Sequence, residues 1–294
     1  MDTEIRAYLL CKAGEGLAPS TLYEYGLYLL AFNAACAKPL AHVTNDDIAQ
    51  WLVQERARGL ADASILARHR ALRIFFNWCV ANEDISLTKS PLRMKNPKIK
   101  KHLPRVAPID SVTKLLALPA QDWVDRRNIT LIYLLLDTGM RIGEALSLHV
   151  GDLRAEARLA MIPPGKDGEG RCAPFTDGFR TALAAYLESR PCSPWSNWLF
   201  VGSLHGKPRG RLTVGGARQM LRDFCAKAGV AYINPHSLRH LFATKALNDG
   251  IRVEIVSKIL GHSSVDLTLR IYASLMTETI QREYDNLWKI SRIP

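Results

Sequence analysis

The segment Pro235-His236-Ser237-Leu238-Arg239-His240 limits the possible folds and reactions of this chain more than any other stretch. Leu260-Gly261-His262 follows it, and Tyr272 comes ten positions after that last histidine (272 − 262). A tyrosine hydroxyl can carry a phosphoryl group covalently, arginine stabilises charge on the oxygens of a phosphate, and histidine exchanges protons. The combination predicts a site that cuts phosphodiester bonds.

Helix geometry orders the side chains of the first segment. His236 and Arg239 are three positions apart and therefore share one helix face, while Leu238 turns inward. His240 is adjacent to Arg239 and is predicted to face elsewhere, in a buried, hydrogen-bonded role rather than a catalytic one. A lone tyrosine is far more often structural than catalytic, so the order and spacing of the whole set carry the interpretation.

Two upstream segments add further charged groups. Residues 137–146 place Arg141 just after a glycine that favours a helix stop, with Glu144 at i+3 on the same face, where its carboxylate can orient the guanidinium. Residues 158–162 and 171–175 flank a turn rich in Gly, Pro and Asp, so we predict a β-hairpin with Lys166 in its loop. A surface ion pair and an exposed loop lysine are the alternatives that these residues alone would allow.

In chain order, these residues resemble the Arg, Lys, His-x-x-Arg, His, Tyr series of the tyrosine recombinases, also called the phage integrase family: Arg141, Lys166, His236 with Arg239, His262 and Tyr272. The resemblance covers nearly the whole chain. It implies a site-specific DNA recombinase that cuts and rejoins strands through a 3′-phosphotyrosyl intermediate and a Holliday junction, in integration, excision or resolution. It also implies a catalytic role for His236, which would help to remove the tyrosine proton, and a supporting role for Glu144.

The main catalytic roles follow from the same resemblance. Tyr272 would be the nucleophile that attacks the scissile phosphate. Arg141, Arg239 and His262 would contact the non-bridging oxygens, because guanidinium groups suit phosphate geometry. Lys166 would protonate the leaving 5′ oxygen. No cofactor and no metal ion is implied for this chemistry.

Two other functions are compatible with parts of the pattern. A type IB topoisomerase uses a similar site to relax DNA and reseal the same strand, and a catalytically silent module would only bind DNA. The complete catalytic set argues against the silent module. The short Leu-Gly-His block with a near-terminal tyrosine favours a recombinase over a topoisomerase.

The predicted fold is mainly α. Residues 1–90 are expected to form four helices, with Ser20 and Thr44 as helix caps, and the resemblance implies that they form a SAM-like domain that clamps DNA. A basic linker covers residues 91–107. Residues 108–294 are expected to form a mixed α/β catalytic domain that is mostly helical, with a small antiparallel sheet and a C-terminal helix. The chain after about Thr176 is expected to return to helix, with Arg209 and Arg211 in a basic loop before a helix from Thr213 to Ala228.

Positive charge predicts a polyanionic partner. The chain has 39 Lys and Arg against 28 Asp and Glu, a formal net charge of +11, and residues 89–105 contain seven Lys or Arg, three prolines and no acid. Such charge favours nucleic acid, although basic residues that merely solvate a surface are common. The candidate DNA-contacting residues are Arg68, Arg70, Arg73, Lys95, Lys98, Lys100, Lys101, Arg209 and Arg211.

The expected partners are double-stranded DNA with paired inverted half-sites and further copies of the chain, forming a dimer on each site and a tetramer in the synapse. An accessory recombinase or DNA-binding protein is a further candidate partner. Six scattered cysteines without a Cys-x-x-Cys pair, and a start that is no signal peptide, predict reduced thiols in a cytoplasmic, nucleoid-associated protein. No membrane association is expected, because the longest apolar run, residues 129–136, is far shorter than the roughly 20 residues of a membrane span.

Overall fold

The computed structural model describes residues 1–99, 105–164, 170–262 and 264–272. The chain divides into two compact units, Met1–His102 and Leu103–Pro294. Each unit has its own hydrophobic core.

Four α-helices make up most of the first unit, as the sequence predicts. They are α1 (Asp2–Gly14), α2 (Pro19–Cys36), α3 (Asn45–Ala57) and α4 (Asp62–Ala81). Aromatic rings fill the space between them, and edge-to-face contacts join Phe32 to both Trp51 and Phe76. Such contacts add to the stability that burial of the rings provides.

One of the two predicted helix caps is confirmed and the other is wrong. Thr44 precedes α3 and forms a capping box, in which its hydroxyl accepts from the backbone N–H of Asp47 and the Asp47 carboxylate accepts from the Thr44 backbone. Ser20 lies inside α2, because Pro19 is already in the first turn and Ala18 precedes the helix without a side-chain cap. Proline favours that position because it has no N–H to leave unpaired.

The first residues of the predicted linker contact the first unit. Leu92 is buried in its core. The side-chain oxygen of Asn45 accepts hydrogen bonds from the backbone N–H groups of Arg93 and Met94, at 3.1 and 3.2 Å. Arg73 donates to the carbonyl of Met94. The chain therefore follows the helical unit for at least four residues beyond position 90.

The second unit combines eight α-helices with two small antiparallel sheets in its described part. The helices are α5 (Ile109–Leu116), α6 (Trp123–Thr138), α7 (Ile142–Ser147), α8 (Asp177–Ser189), α9 (Val214–Lys227), α10 (Pro235–Asn248), α11 (Val253–Leu260) and α12 (Val265–Tyr272). The strands are β1 (Leu153–Arg154), β2 (Leu159–Ile162), β3 (Arg171–Pro174), β4 (Val201–Leu204) and β5 (Lys207–Arg211).

The first sheet confirms the predicted hairpin. Its strand order is β1-β2-β3, and Ala160 pairs with Ala173 in the antiparallel register of β2 and β3. Lys166 belongs to the connection between these strands and lies outside the described residues.

The second sheet corrects the prediction that the chain after Thr176 is helix with a basic loop at Arg209 and Arg211, because both arginines lie in β5. β4 and β5 form a hairpin across the two-residue turn His205-Gly206, whose φ angles of 49° and 75° fit the tight turns of twisted hairpins. Gly202, Pro208 and Gly210 make these strands poor in β-forming residues, so the pattern gave little strand signal. Gly202 is needed here, because a Cβ at that position would lie 2.6 Å from the carbonyl oxygen of Arg209.

The core of the second unit is built around α6, which packs against α8 and α10. Leu131, Leu134 and Leu135 of α6 are fully buried. A smaller cluster, separate from this core, joins one face of α10 to α11 and α12 and contains Tyr272. No helix in the described part of the chain is both long and apolar enough to cross a bilayer.

Gly139 ends α6 and brings three elements together. It adopts the left-handed conformation with φ 57°, as the sequence predicts for a helix stop. A Cβ there would overlap the ring of Phe242 on α10 and would lie 2.8 Å from Leu260 at the end of α11. Glycine at this position therefore allows α6, α10 and α11 to approach one another.

We predict that Gly139→Ala destabilises the second unit by roughly 2 kcal/mol or more, because left-handed backbone and core overpacking each cost about 1 to 3 kcal/mol. Gly143→Ala is the matched control, since a Cβ at Gly143 in α7 meets nothing within 4 Å. That control should be neutral or stabilising by up to about 1 kcal/mol. Thermal unfolding followed by circular dichroism measures both, and equal melting temperatures for the two variants would contradict the packing argument.

Candidate active site

Arg239 lies at the centre of the site, buried with 3% of its surface exposed. Its guanidinium donates to the carbonyl of Gly139 at 2.8 Å and to that of Leu260 at 3.0 Å, at the carboxyl ends of α6 and α11. Burial, and then the nearby charge of Arg141, lower its pKa to about 10, so the group stays protonated at neutral pH. Carbonyl groups at helix ends carry partial negative charge, which stabilises a buried cation.

Arg141 and Glu144 form the pair that the sequence predicts. Arg141 directly precedes α7. Its backbone N–H donates to Glu144 Oε2 at 2.7 Å and its guanidinium to Oε1 at 3.0 Å. Nearly half of the Arg141 side chain is exposed, so it has room to contact a ligand.

Arg171 is a site residue that the sequence analysis missed. It is the first residue of β3, and its guanidinium donates to both oxygens of Glu144, at 3.2 and 2.7 Å. Burial raises the pKa of Glu144, but the hydrogen bonds from Arg171 and Arg141 outweigh that effect and hold the pKa below its usual value. Because 27 residues separate the two partners, no local pattern pointed to this contact.

His262 follows Gly261, which ends α11 in the left-handed conformation with φ 66°. Its Nδ1 and the hydroxyl of Thr268 lie 2.7 Å apart and share a hydrogen bond. Burial, followed by the charges of Arg239, Arg141 and Arg171, lowers the pKa of this histidine to about 4. The ring is therefore neutral at pH 7, and when Thr268 donates, Nε2 carries the proton and can donate to an anion.

Tyr272 contacts His240, which corrects the prediction that His240 faces away from the site. Their hydroxyl and Nδ1 atoms lie 2.8 Å apart. His236 and His240 are four positions apart on α10 and therefore lie on the same helix face, with ring centroids 5.6 Å apart. The prediction considered only that His240 is next to Arg239 in sequence.

The tyrosine hydroxyl is held as a neutral group. Burial raises the pKa of Tyr272 to about 12, an effect that Arg239 only partly offsets, and 1% of the side chain is exposed. Burial also lowers the pKa of His240 to about 4, with smaller contributions from His236 and Arg239. A neutral His240 can accept the tyrosine proton in the hydrogen bond.

His236 is exposed at the start of α10. Partial desolvation, and then the charges of Arg239 and Arg141, lower its pKa below the usual histidine value. The structure therefore brings His236 close to both arginines.

The predicted DNA-contacting residues fall into three groups. Arg68 and Arg73 are engaged within the first unit: Arg68 donates to Glu55 at 3.0 Å, and Arg73 donates to a backbone carbonyl. Lys100 and Lys101 lie outside the described residues. The exposed members of the set are Arg70, Lys95, Lys98, Arg209 and Arg211.

The charge of the site is suited to an anion. Three guanidinium groups, those of Arg141, Arg171 and Arg239, lie close enough to lower the pKa of His262, and Glu144 is the one carboxylate hydrogen-bonded to any of them in the described part of the chain. In the same described residues, no three His, Cys, Asp or Glu side chains are grouped to hold a metal ion. Such a cluster can bind phosphate and stabilise charge that develops on its oxygens.

Comparisons with known proteins find relatives that span most of this chain. Residues 107–279 match the phage integrase family, and residues 8–83 match the phage integrase N-terminal SAM-like domain. Tyrosine recombinase XerA of Pyrococcus furiosus is 31% identical over 271 residues, which cover 91% of this chain and 89% of that protein. Tyrosine recombinase XerC of Roseiflexus castenholzii is 31% identical over 292 residues, which cover 95% and 91%.

Solved structures share the fold. The crystal structure of XerA recombinase matches 100% of this chain and 99% of its own, with a TM-score of 0.55 and 25% identity. The post-cleavage complex of XerH site-specific recombinase with a palindromic difH substrate matches 95% of this chain and 83% of its own, with a TM-score of 0.73 and 24% identity.

We predict that the second unit loses stability as the pH falls from about 6.5 to about 4. His240 and His262 have pKa values near 4 in the folded chain, whereas unfolded histidine titrates near 6.5. Between these values the unfolded state binds more protons, so acid favours unfolding, by on the order of 1 to 3 kcal/mol for each histidine.

Urea unfolding across this pH interval measures the effect, with His240→Gln removing part of the slope. His42→Gln, which changes an exposed histidine of the first unit, is the control and should leave the slope intact. Identical pH dependence in His240→Gln and in the unmodified chain would contradict the assignment.

Proposed function

This chain belongs to the phage integrase family of tyrosine recombinases, and we propose that it is a site-specific DNA recombinase with Tyr272 as its nucleophile. It cuts and rejoins DNA strands through a 3′-phosphotyrosyl intermediate, and a Holliday junction forms between the paired exchanges.

One observation supports this assignment above the others. Arg239, held by the ends of α6 and α11, lies near Arg141, His262 and Tyr272, so the cations and the nucleophile of one reaction are close together. The same residue types dispersed over the surface could not act together on one phosphate. Fixed cations of this kind stabilise the charge of a phosphoryl-transfer transition state without having to rearrange.

In the proposed reaction, a scissile phosphate is bound by Arg141, Arg239 and His262. The Tyr272 oxygen attacks phosphorus while the bond to the 5′ oxygen breaks, which leaves a 3′-phosphotyrosyl link and a 5′-hydroxyl. The 5′-hydroxyl of a partner strand then attacks the link and releases the tyrosine. The link conserves the bond energy, so strand exchange needs no nucleoside triphosphate.

Proton transfer accompanies both halves of this reaction. Lys166, which lies outside the described residues, is the proposed donor to the leaving 5′ oxygen. His236 is the proposed acceptor of the Tyr272 proton. His240 hydrogen-bonds the tyrosine hydroxyl, so it holds that proton on the side of α10 where His236 lies.

The proposed partner is double-stranded DNA with paired inverted half-sites, bound within the nucleoid. Each half-site takes one chain, whose helical domain (1–90), basic linker (91–107) and catalytic domain (108–294) all contact the duplex, and four chains form the synapse. An accessory recombinase or DNA-binding protein is compatible with this assembly. The C-terminal helix predicted for the end of this domain lies outside the described residues.

We predict that Tyr272→Phe abolishes covalent attachment to DNA and leaves half-site binding nearly unchanged, because the hydroxyl is the nucleophile and contributes little to the interface. Tyr232→Phe, which changes an exposed tyrosine of the same unit, is the matched control and should retain cleavage. A nicked suicide substrate traps the adduct for detection by denaturing electrophoresis. Adduct formation by Tyr272→Phe would contradict the assignment of the nucleophile.

The same preparation separates the proposed activity from its alternatives. Recombination between two sites supports the recombinase. Plasmid relaxation without recombination would indicate a topoisomerase, and binding without an adduct would indicate a silent DNA-binding module.

We predict that exposed cations of the first unit and the linker contribute to the salt dependence of DNA binding. Arg70→Gln and Lys95→Gln should each reduce the slope of log affinity against log salt by about 1, since each phosphate contact releases about one counterion. Arg6→Gln on α1, which removes another exposed arginine of the first unit, is the control. Fluorescence anisotropy with a labelled half-site measures the slopes, and three equal slopes would contradict a specific role for Arg70 and Lys95.

A further inference from the structure

Arg171 makes three hydrogen bonds across the site, although no sequence motif assigned it a role. Two of its nitrogens donate to the two carboxylate oxygens of Glu144, at 3.2 and 2.7 Å. Its Nε donates to the carbonyl of Ile259 at 2.9 Å. One side chain at the start of β3 thereby joins α7 to the last turn of α11.

The surroundings of Arg171 match the shape of its guanidinium. Its side chain is 15% exposed, so these hydrogen bonds are largely shielded from water. Gly261 leaves room for the flat group, because a Cβ at Gly261 would lie 2.7 Å from its central carbon. The left-handed glycine that precedes His262 thus also accommodates Arg171.

Arg171 contacts Glu144 and the end of α11, and each of these adjoins a group of the proposed reaction. Glu144, which takes two bonds from Arg171, also accepts from the guanidinium of Arg141. The other two contacts, Ile259 and Gly261, lie three residues and one residue before His262 at the end of α11. A change at position 171 therefore acts on Arg141 and on His262 together.

We propose that Arg171 is a positioning residue for strand cleavage, which sets Arg141 through Glu144 and sets His262 through the end of α11. This inference rests on the proposed recombinase function. Three of the five N–H donors of Arg171 are engaged within the protein and its side chain is 15% exposed, so we assign Arg171 to positioning and not to phosphate contact.

Lysine cannot replace this arginine fully. An ammonium group is a compact point charge and cannot make a bidentate contact with a carboxylate while also reaching a carbonyl on another helix. Arg171→Lys keeps the charge and one of the contacts, whereas Arg171→Ala keeps none. The two variants therefore separate the charge of Arg171 from its geometry.

The test measures three quantities on the full chain: the single-turnover rate of adduct formation on a suicide substrate, the half-site dissociation constant, and the melting temperature. We expect Arg171→Ala to slow adduct formation by roughly 10- to 100-fold, as a small misplacement of catalytic groups does. Arg171→Lys should show an intermediate rate. The dissociation constant should change no more than in Arg158→Ala, the matched control, which removes an exposed arginine paired with Asp177 beside β2.

A double-mutant cycle with Glu144→Gln tests the route of the effect. If Arg171 acts through Glu144, the double variant Arg171→Ala with Glu144→Gln should be slowed by clearly less than the product of the two single effects. A product of independent effects would overturn the proposed route.

Two further outcomes would overturn the inference. One is a cleavage rate of Arg171→Ala equal to that of Arg158→Ala. The other is a parallel fall of cleavage, binding and melting temperature in Arg171→Ala and in Arg171→Lys, which would assign to Arg171 a role in folding alone. Absence of an adduct with the unmodified chain is a different result, because it rejects the proposed function itself.

Discussion

The buried guanidinium of Arg239 is the constraint on which the site depends. A cation removed from water costs several kcal/mol unless charge and hydrogen bonds replace its hydration. Here the carbonyls of Gly139 and Leu260 replace it, and both are available because a left-handed glycine ends α6 and another ends α11. The approach of the two helix ends and the position of Arg239 therefore depend on each other.

The other reactive groups follow from this arrangement by chain connectivity. Arg141 comes two residues after Gly139, and His262 comes two residues after Leu260. Each is carried to the site by the helix end that holds Arg239. The spacing of the motifs along the sequence thus reflects short connections around one buried cation.

Several parts of this structure could be predicted because their causes are local. Thr44 caps α3 and Gly139 stops α6 through hydrogen bonds or backbone angles within a few residues. The β2-β3 hairpin has a turn-rich connection and recognisable strand residues. The Arg141 and Glu144 pair is likewise a contact within one turn.

The missed features depend on contacts between distant parts of the chain or on weak local signals. Arg171 contacts Glu144, which is 27 residues away in sequence, and His240 contacts Tyr272, which is 32 residues away. Contacts between residues so far apart in sequence cannot be predicted from the periodicity of a single helix or strand. The β4-β5 hairpin contains residues that disfavour strands, and the His205-Gly206 turn was the local signal that could have indicated it. The N-cap of α2 is Ala18, two residues before the predicted Ser20, because proline favours the first position of the helix.

The separate packing of Tyr272 has a consequence for motion. Its helix lies in a small cluster with parts of α10 and α11, whereas the main core of the unit is formed elsewhere, chiefly around α6. Small clusters open with less free energy than a domain core, so the amides of α12 should exchange with solvent hydrogen faster than those of α6. If α12 alone opens, Tyr272 is released while Arg239 keeps its contacts with Gly139 and Leu260. The position of Tyr272 would then be shorter-lived in the folded protein than the positions of the arginines that bind the phosphate.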